Sequence, residues 1–273
     1  MLTTIAIILL VLLVLVLIYL FLIKGRTGHK GIGQLRNHCY AHRGLHGSGI
    51  PENSMAAFQA AKKHGYGLEL DVHIMKDGNL AVIHDHSLKR TAGADVQIED
   101  LTLADLDCYC LEGTQEKIPL FSDVLALYSD STAPLIVELK ATTKNHAALC
   151  KAVCDMLDKY SVTYCVESFD PRCVTWLRKH RKDIIRGQLT ENFFRSQTKL
   201  PAIVKFVMKY NLLNVASRPD FIAYRFADRK NISNYLCRKL WKVQGVTWTI
   251  RNQEDYDTAV AEDWIPIFEN FEP

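Results

Sequence analysis

Apolar runs that end in charged or imidazole side chains constrain the fold of this chain more than any other sequence feature. Short runs this apolar are typical of strands in a buried sheet, where an ionisable group carries a desolvation cost unless another charge or a ligand offsets it. Four such runs end in the pairs His42-Arg43, Glu69 with Asp71, His84-Asp85, and Glu138 with Lys140. Two histidines, four carboxylates and two cations at strand ends predict a site for phosphate and metal. The competing interpretation, solvated charges on edge strands, does not account for the same pattern at four strand ends.

The spacing within these pairs predicts which side chains lie together. Residues two apart on a strand point to the same face, so Glu69 should project with Asp71, and Glu138 with Lys140. Asp77-Gly78, flanked by strand-like residues, is typical of a two-residue hairpin turn. In that register Asp71 directly faces His84, which places a carboxylate beside an imidazole.

Seven motifs in the sequence resemble those of the glycerophosphodiester phosphodiesterase family, and they extend over roughly residues 40–270. They are AHRG (41–44), PENS (51–54), ELD (69–71), HDHSLKRT (84–91), ELK (138–140), ESF (167–169) and WTI (248–250). The resemblance is to a membrane-anchored, bacterial-type member. It implies a TIM-type (β/α)8 barrel that hydrolyses glycerophosphodiesters to glycerol 3-phosphate and an alcohol, with a divalent cation.

The same resemblance implies a role for each matching residue. His42 and His84 would be the general acid and base, and Arg43 would hold a phosphate oxygen. The implied metal ligands are Glu69, Asp71 and Glu138. Two departures from the family pattern, Arg251 after WTI and the final IPIFENFEP, lie near the acceptor side and bear on the leaving-group preference.

The residue types fit phosphodiester chemistry independently of the resemblance. A phosphodiester anion needs a cation to neutralise developing charge, a base for the nucleophile and an acid for the leaving alkoxide. Carboxylates without thiolates suit Mg²⁺, Ca²⁺ or Mn²⁺, and two histidines can divide acid and base work near neutrality. Arg43 supplies a planar fork for phosphate and Lys140 a mobile point charge. Water and the substrate's glycerol 2-hydroxyl both remain open as the nucleophile.

Several neighbouring residues have both a structural and a functional interpretation. Glu52 could contact the residues that bind the metal and phosphate, or the substrate itself. Asn53 is predicted to cap the helix that follows it, and His73 to be a rim or core histidine. Phe169 and Trp248 could contact the glycerol part of a substrate, although core packing is the simpler interpretation of each aromatic taken alone.

The amino-terminal segment predicts a membrane anchor. Residues 5–23 are apolar and uncharged, and at about 1.5 Å per residue they nearly match a hydrocarbon core of about 30 Å. No basic region precedes them and no obvious cleavage site follows, which disfavours a signal peptide. Lys24, Arg26, Lys30 and Arg36 follow instead, so the positive-inside rule predicts a single-pass protein with a cytoplasmic catalytic domain.

The rest of the chain predicts one barrel domain. We assign residues 1–24 to a transmembrane anchor, 25–38 to a linker and 39–273 to the barrel, in which nine candidate strands alternate mostly with helical patterns. An eight-stranded barrel has room for eight of the nine, so one candidate is either peripheral to the barrel or not a strand. A net charge of +3 without basic-aromatic interleaving gives no indication of nucleic-acid binding. The eight cysteines lack metal-site spacing and are predicted to be buried thiols, with disulfides as the alternative if the domain were extracytoplasmic.

The sequence leaves open two alternatives to a phosphodiesterase that acts on soluble substrates. The anchor would favour a lysophospholipase D or another lipid-directed phosphodiesterase on the same barrel. A catalytically silent, membrane-tethered binding domain is the second alternative. The presence of both histidines and all three carboxylates argues against the silent domain.

Overall fold

The computed structural model describes all residues, 1–273, and contains a closed barrel of eight parallel strands. A ninth, short strand pairs antiparallel with the second strand and lies outside the barrel, so the extra candidate is a peripheral strand. The predicted TIM-type (β/α)8 fold is confirmed. The strands are β1 (Tyr40–Ala41), β2 (Gly67–Ile74), β3 (Leu80–Val82), β4 (Leu135–Leu139), β5 (Tyr164–Ser168), β6 (Arg186–Thr190), β7 (Phe221–Arg225), β8 (Gln244–Ile250) and β9 (Trp264–Phe268).

An apolar helix precedes the barrel, and the others mostly connect its strands. In chain order they are α1 (Leu2–Ile23), α2 (Met55–Lys63), α3 (Lys89–Ala92), α4 (Phe121–Tyr128), α5 (His146–Leu157), α6 (Pro171–His180), α7 (Ala202–Lys209), α8 (Asn214–Ser217), α9 (Ile232–Leu240) and α10 (Gln253–Ala261). Short 3₁₀ turns occupy Ile32–Leu35, Ile98–Asp100, Leu103–Cys108 and Phe226–Asp228. All eight cysteines are free thiols, and five of them are buried.

Successive side chains along each strand point alternately into the barrel and outward against the surrounding helices. Tyr40 of β1 and Ile136 of β4 belong to the interior apolar cluster, whereas their neighbours Ala41 and Val137 pack outward against helices. Two residues further along the interior face of β4 stands Glu138. The interior is therefore apolar in its lower layers and ionisable at the end where the strands terminate, which we call the mouth.

Gly187 of β6 illustrates how tightly this interior is packed. It pairs with Phe221 of β7, and a Cβ added at Gly187 would lie 2.1 Å from the Phe221 ring. We expect Gly187→Ala to lower the free energy of unfolding by about 1–3 kcal/mol, because the ring must move within a close-packed barrel. Chemical denaturation of the two full-length proteins measures this. The matched control is Gly33→Ala, since a Cβ there meets nothing within 4 Å. Equal losses in both variants would contradict the packing argument.

The hairpin between β2 and β3 forms, but its predicted register is wrong by one residue. Val72 faces Val82, and the Ile83 amide donates to the Asp71 carbonyl, so Asp71 lies opposite Ile83 rather than His84. The reason is the turn. The Met75 amide donates to the Asn79 carbonyl, and three residues form the loop, with Gly78 in the left-handed region (φ 86°). His84 therefore lies beyond the paired strand.

The predicted apolar helix is present as α1, and its C-terminal end is attached to the barrel. Its residues 1–18 are exposed, whereas Ile23 is buried. Asn214 Nδ2 donates to the Ile23 carbonyl at 2.9 Å, and Arg218 donates to the carbonyls of Phe21 and Lys24 at 2.9 and 2.7 Å. These side chains satisfy carbonyls that the end of a helix leaves unpaired.

The segment 25–38, predicted to be a linker, lies against the barrel. Arg26 forms an ion pair with Asp220 at 2.5 Å and donates to the carbonyl of Ile184 at 2.9 Å. Leu35 is fully buried among the lowest layer of interior side chains, and its carbonyl accepts a hydrogen bond from Tyr40. The segment therefore closes the end of the barrel opposite the mouth.

Candidate active site

Three buried carboxylates meet at the mouth. Glu69, Asp71 and Glu138 are 3%, 1% and 7% exposed, and an oxygen from each lies within 4.8 Å of the other two. They converge because Asp71 of β2 is the direct register partner of Glu138 on β4, and Glu69 stands on the same face as Asp71. Burial, together with the charges of Asp71 and Glu138, raises the pKa of Glu69 well above its ordinary value. The structure thus brings together all three predicted ligands.

Two cations contact this triad of carboxylates. Lys140 Nζ lies 2.9 Å from Asp71 Oδ1 and 2.7 Å from Glu138 Oε1. Arg43 lies 3.5 Å from Asp71 through Nε, and its backbone amide donates to Glu69 at 3.0 Å. Burial opposes ionisation of Asp71, but Lys140, His84 and Arg43 outweigh it and hold the pKa of Asp71 well below its ordinary value.

His42 is oriented by a carboxylate from the other end of the chain. Its Nδ1–H donates to Glu269 Oε2 at 2.5 Å, which directs Nε2 towards Glu69, 3.9 Å away. Burial lowers the pKa of His42 below its ordinary value, and the hydrogen bond that His42 donates to Glu269 acts in the opposite direction. Arg251 in turn donates to Glu269 at 2.7 Å. His42, Glu269 and Arg251 therefore form one connected group.

His84 has a comparable support. Its Nδ1–H donates to Asp85 at 2.6 Å, and Arg90 donates to the other Asp85 oxygen at 2.6 Å. The hydrogen bond from His84 lowers the pKa of Asp85, and Arg90 adds to that effect. His73 is buried, and its Nε2 lies 3.3 Å from the carbonyl oxygen of His84. His84 is thus held at both its ring and its backbone, although it lies outside the strand.

The PENS motif supplies supporting contacts. Glu52 accepts hydrogen bonds from Arg43 at 2.9 Å and from Arg90 at 2.6 Å, so it connects the two arginines on either side of the site. The prediction that Asn53 caps α2 is wrong, because Ser54 is the N-cap. Asn53 instead donates to Asp71 Oδ2 at 2.8 Å, since its left-handed backbone (φ 51°) turns the side chain into the barrel.

A cavity of about 350 Å³ opens beside the triad, and one of its walls is apolar. Glu138 and Lys140 line one side, and Phe169, Phe193, Leu200 and Met208 contribute apolar lining. The rings of Phe169 and Trp248 meet edge to face at 5.6 Å. Phe169 therefore lines the cavity, whereas Trp248 contacts Phe169 and is not among the lining residues.

Two acidic residues of the mouth were not among the predicted site residues. The pairing of Glu269 with His42 could not be predicted from the sequence, because the two residues are 227 positions apart. Its local signal, an acidic residue directly after the apolar run IPIF, was the same as that of the other strand ends. Glu167 of β5 is 1% exposed and aligned with Glu138 of β4, and its Oε2 atom has no hydrogen-bond partner. Burial and the Glu138 charge raise the pKa of Glu167 well above its ordinary value.

The donor set fits a hard divalent cation. The three clustered ligands offer oxygen only, and an oxygen environment of this kind is preferred by Mg²⁺, Ca²⁺ and Mn²⁺. Burial first, and then the neighbouring carboxylates, raise the pKa values of Glu69 and Glu138 above their ordinary values, although Lys140 opposes the rise at Glu138. A divalent cation held by Glu69, Asp71 and Glu138 would favour the ionised forms of these carboxyl groups.

Fold and site together define a TIM-barrel protein whose ionisable groups are concentrated at the carboxyl ends of the strands, where barrels of this kind carry their active sites. The sequence profile of the glycerophosphoryl diester phosphodiesterase family matches residues 42–265. The chain belongs to this family, as its motifs predicted.

Individual relatives extend this comparison. The chain is 36% identical over 135 residues to a human protein named lysophospholipase D GDPD1, a match that covers 44% of this chain and 41% of the relative. It is 34% identical over 131 residues to a glycerophosphodiester phosphodiesterase of Bacillus altitudinis, covering 45% of this chain and 53% of the relative. The matched region thus spans about half the length of these curated relatives.

Solved structures match most of the barrel. A glycerophosphodiester phosphodiesterase from Thermotoga maritima superposes with a TM-score of 0.64 at 26% identity, covering 85% of this chain and 94% of that one. An Oleispira antarctica phosphodiesterase, solved with the product sn-glycerol-3-phosphate, superposes with a TM-score of 0.71 at 20% identity, covering 87% and 94%. The second likeness, at this identity, concerns the fold alone.

Proposed function

We propose that this protein hydrolyses glycerophosphodiesters to glycerol 3-phosphate and an alcohol, with a divalent cation and two histidines. The observation that carries the proposal is that each histidine is hydrogen-bonded to its own carboxylate, and that both pairs lie at the mouth with the cluster of three buried carboxylates. Glu269 orients His42 and Asp85 orients His84. The cluster of Glu69, Asp71 and Glu138 contacts both cations of the site. The family membership and the relatives' names support the same reaction class.

Each residue then has a chemical task. Arg43 and Lys140 hold the anionic phosphate oxygens, and Glu52 fixes the direction of the Arg43 guanidinium. His42 and His84 transfer protons through Nε2, because Nδ1 of each ring is engaged by a carboxylate. The cation, when bound, would neutralise charge on the phosphoryl oxygens. Asn53 keeps Asp71 in place through its amide.

A lipid-directed variant of the same reaction, that of a lysophospholipase D, is the second candidate. The specific observation in its favour is the apolar wall of the cavity, where Phe169, Phe193, Leu200 and Met208 lie next to Glu138 and Lys140. Such a wall suits an acyl chain better than it suits the polar head of a deacylated substrate. A curated human relative carries that activity in its name.

We retain the division into an anchor (1–24), a connecting segment (25–38) and a catalytic barrel (39–273) as part of the proposal. The helix Leu2–Ile23 is long and apolar enough to cross a membrane, and the basic residues that follow it favour a cytoplasmic barrel. We propose a single-pass membrane protein with this orientation.

A substrate panel tests the two activities. The full chain in detergent micelles or nanodiscs is incubated with glycerophosphocholine, glycerophosphoethanolamine and lysophosphatidylcholine, with and without EDTA, and glycerol 3-phosphate, choline and lysophosphatidic acid are measured. Glycerol 3-phosphate from the deacylated diesters supports the first candidate, and lysophosphatidic acid the second. Absence of every product at all metal concentrations tested would leave the silent binding domain as the correct interpretation.

We expect Glu269→Gln to shift the pH–rate profile to lower pH. Glu269 raises the pKa of His42, so removal of its charge lowers that pKa further. If His42 acts as a base, its pKa sets the acid limb of the profile; if it acts as an acid, its pKa sets the alkaline limb. A lower pKa moves either limb to lower pH. The profile of kcat/KM for the full-length enzyme measures the shift. The matched control is the exposed Glu254→Gln, and an unmoved profile in Glu269→Gln would remove Glu269 from its positioning role.

A further inference from the structure

The direction in which α1 leaves the barrel has a consequence for how the protein meets a membrane. Tyr19 of α1 hydrogen-bonds Ser233 of α9 at 2.7 Å. Four residues further on, the Ile23 carbonyl accepts a contact from Cys237 Sγ at 3.1 Å, again four residues further along α9. The two helices therefore run side by side in the same direction.

The direction of α9 is fixed by the barrel. It begins shortly after β7 ends at the mouth, and it leads back to the start of β8 at Gln244. Ser233 thus lies at the mouth level and Leu240 at the opposite end. Because α1 runs parallel to α9, the part of α1 before Tyr19 extends past the mouth. Residues 2–18 are all exposed and span about 25 Å, close to the thickness of a hydrocarbon core of about 30 Å.

The mouth on this side carries an apolar rim. Thr190 and Tyr224, near the ends of β6 and β7, donate to the carbonyls of Met208 and Lys209 and so hold the end of α7 at the mouth. Six large apolar side chains of the segment after β6, of α7 and of the start of α9 face solvent. We call them the apolar rim: Phe194, Leu200, Ile203, Phe206, Ile232 and Tyr235. Exposed large apolar side chains gathered at one end of a barrel are typical of an interaction site.

Basic side chains accompany the rim. Lys199 and Lys205 flank it, and Lys209 Nζ lies 5.8 Å from the Phe194 ring and 5.0 Å from the Tyr210 ring. Aromatic residues and lysines beside exposed aliphatic side chains are typical of segments that lie in the interface of a bilayer with anionic headgroups. The basic residues at the end of α6, by contrast, lie at the opposite end of the barrel.

We propose that the mouth of the barrel docks on the bilayer that holds α1, with the apolar rim and its lysines in the headgroup region. The rim and α1 leave the barrel at the same end, which favours the bilayer over a second protein as the occupant. The apolar cavity wall reaches the rim through Leu200, so the site opens towards the lipid rather than towards bulk water. This proposal concerns the docking surface and does not depend on which substrate is hydrolysed.

Photocrosslinking to lipid tests the orientation without requiring turnover. The full chain is placed in nanodiscs of phosphatidylcholine and phosphatidylglycerol, with p-benzoylphenylalanine at one position per variant, and lipid adducts are measured by mass spectrometry after irradiation. Ile232 and Leu240 are a matched pair, because they lie on one helix and are 55% and 52% exposed. Phe206 is a second mouth position, and Leu12 within α1 reports insertion of the anchor.

We expect lipid adducts at Leu12, Phe206 and Ile232, with only background at Leu240. Adducts at Leu240 equal to or above those at Ile232 would show that the wrong end of the barrel faces the membrane. Adducts at Leu12 alone would show that the barrel stands away from the surface, and adducts to a second copy at Phe206 or Ile232 would identify the rim as a protein interface. Absence of lipid adducts at every position would overturn the anchor as well. Each of these results contradicts the proposal while leaving catalysis on soluble diesters to be judged separately.

Discussion

His42→Ala and His84→Ala should each lower kcat by about 10²–10⁴-fold, because each change removes one of the two imidazoles to which we assign proton transfer. The full-length variants are assayed with a saturating glycerophosphodiester, and thermal unfolding is measured in parallel. The two effects should not add in the double variant, since the proposal assigns both histidines to one transition state.

A matched control separates this loss from a general effect of removing a histidine. His180 is exposed at the end of α6, away from the mouth, so His180→Ala should retain wild-type kcat. Wild-type turnover by His42→Ala or by His84→Ala would exclude that histidine from proton transfer. Loss of folded protein in the two site variants, but not in the control, would show a structural role instead.

Glu69→Gln should abolish metal-dependent activity while leaving the protein as stable as the wild type, or more so, in EDTA. The loss of activity should exceed about a hundredfold. Mutation of a residue that only orients a metal ligand already lowers metal affinity or activity by about 10–100-fold, and Glu69 is a proposed ligand itself. The stability follows from the raised pKa of Glu69: the folded state favours the protonated carboxyl, so stability falls as the pH rises through that pKa. The uncharged Gln does not undergo this loss.

Calorimetric titration with Mg²⁺ or Ca²⁺ and thermal unfolding in EDTA measure the two parts of this prediction. Glu138→Gln should also lose the cation, but it removes a partner of Lys140 and should be less stable than Glu69→Gln. Wild-type activity of either variant in EDTA, or wild-type cation affinity in both, would exclude the three carboxylates as the metal site.

The inward-facing residues show how far the sequence predicts this site. Alternation within a strand is a local property, so the convergence of Glu69 with Asp71, and of Glu138 with Lys140, could be predicted from residues two apart. The motif AHRG and the apolar run before it likewise placed His42 at a strand end. The closed barrel followed from the length, the alternating elements and the family resemblance.

What the sequence did not predict depends on backbone details or on distant pairs. The position of Gly78 in a three-residue turn shifted the register, and the choice between two- and three-residue turns depends on a single left-handed residue. The contact between His42 and Glu269 joins opposite ends of the barrel chain, and no local pattern specifies such a pair. The parallel course of α1 and α9 is likewise a tertiary property.

The attachment of α1 by Asn214 and Arg218 would have a kinetic consequence in the membrane-anchored enzyme that we propose. A helix fixed at its last turn allows the barrel little swivel, so an enzyme anchored in this way would search for a lipid substrate by lateral diffusion in two dimensions. Its rate would then follow the mole fraction of substrate in the surface rather than the bulk concentration. Dilution of the substrate with inert lipid would slow turnover, while dilution of the whole suspension with buffer would not.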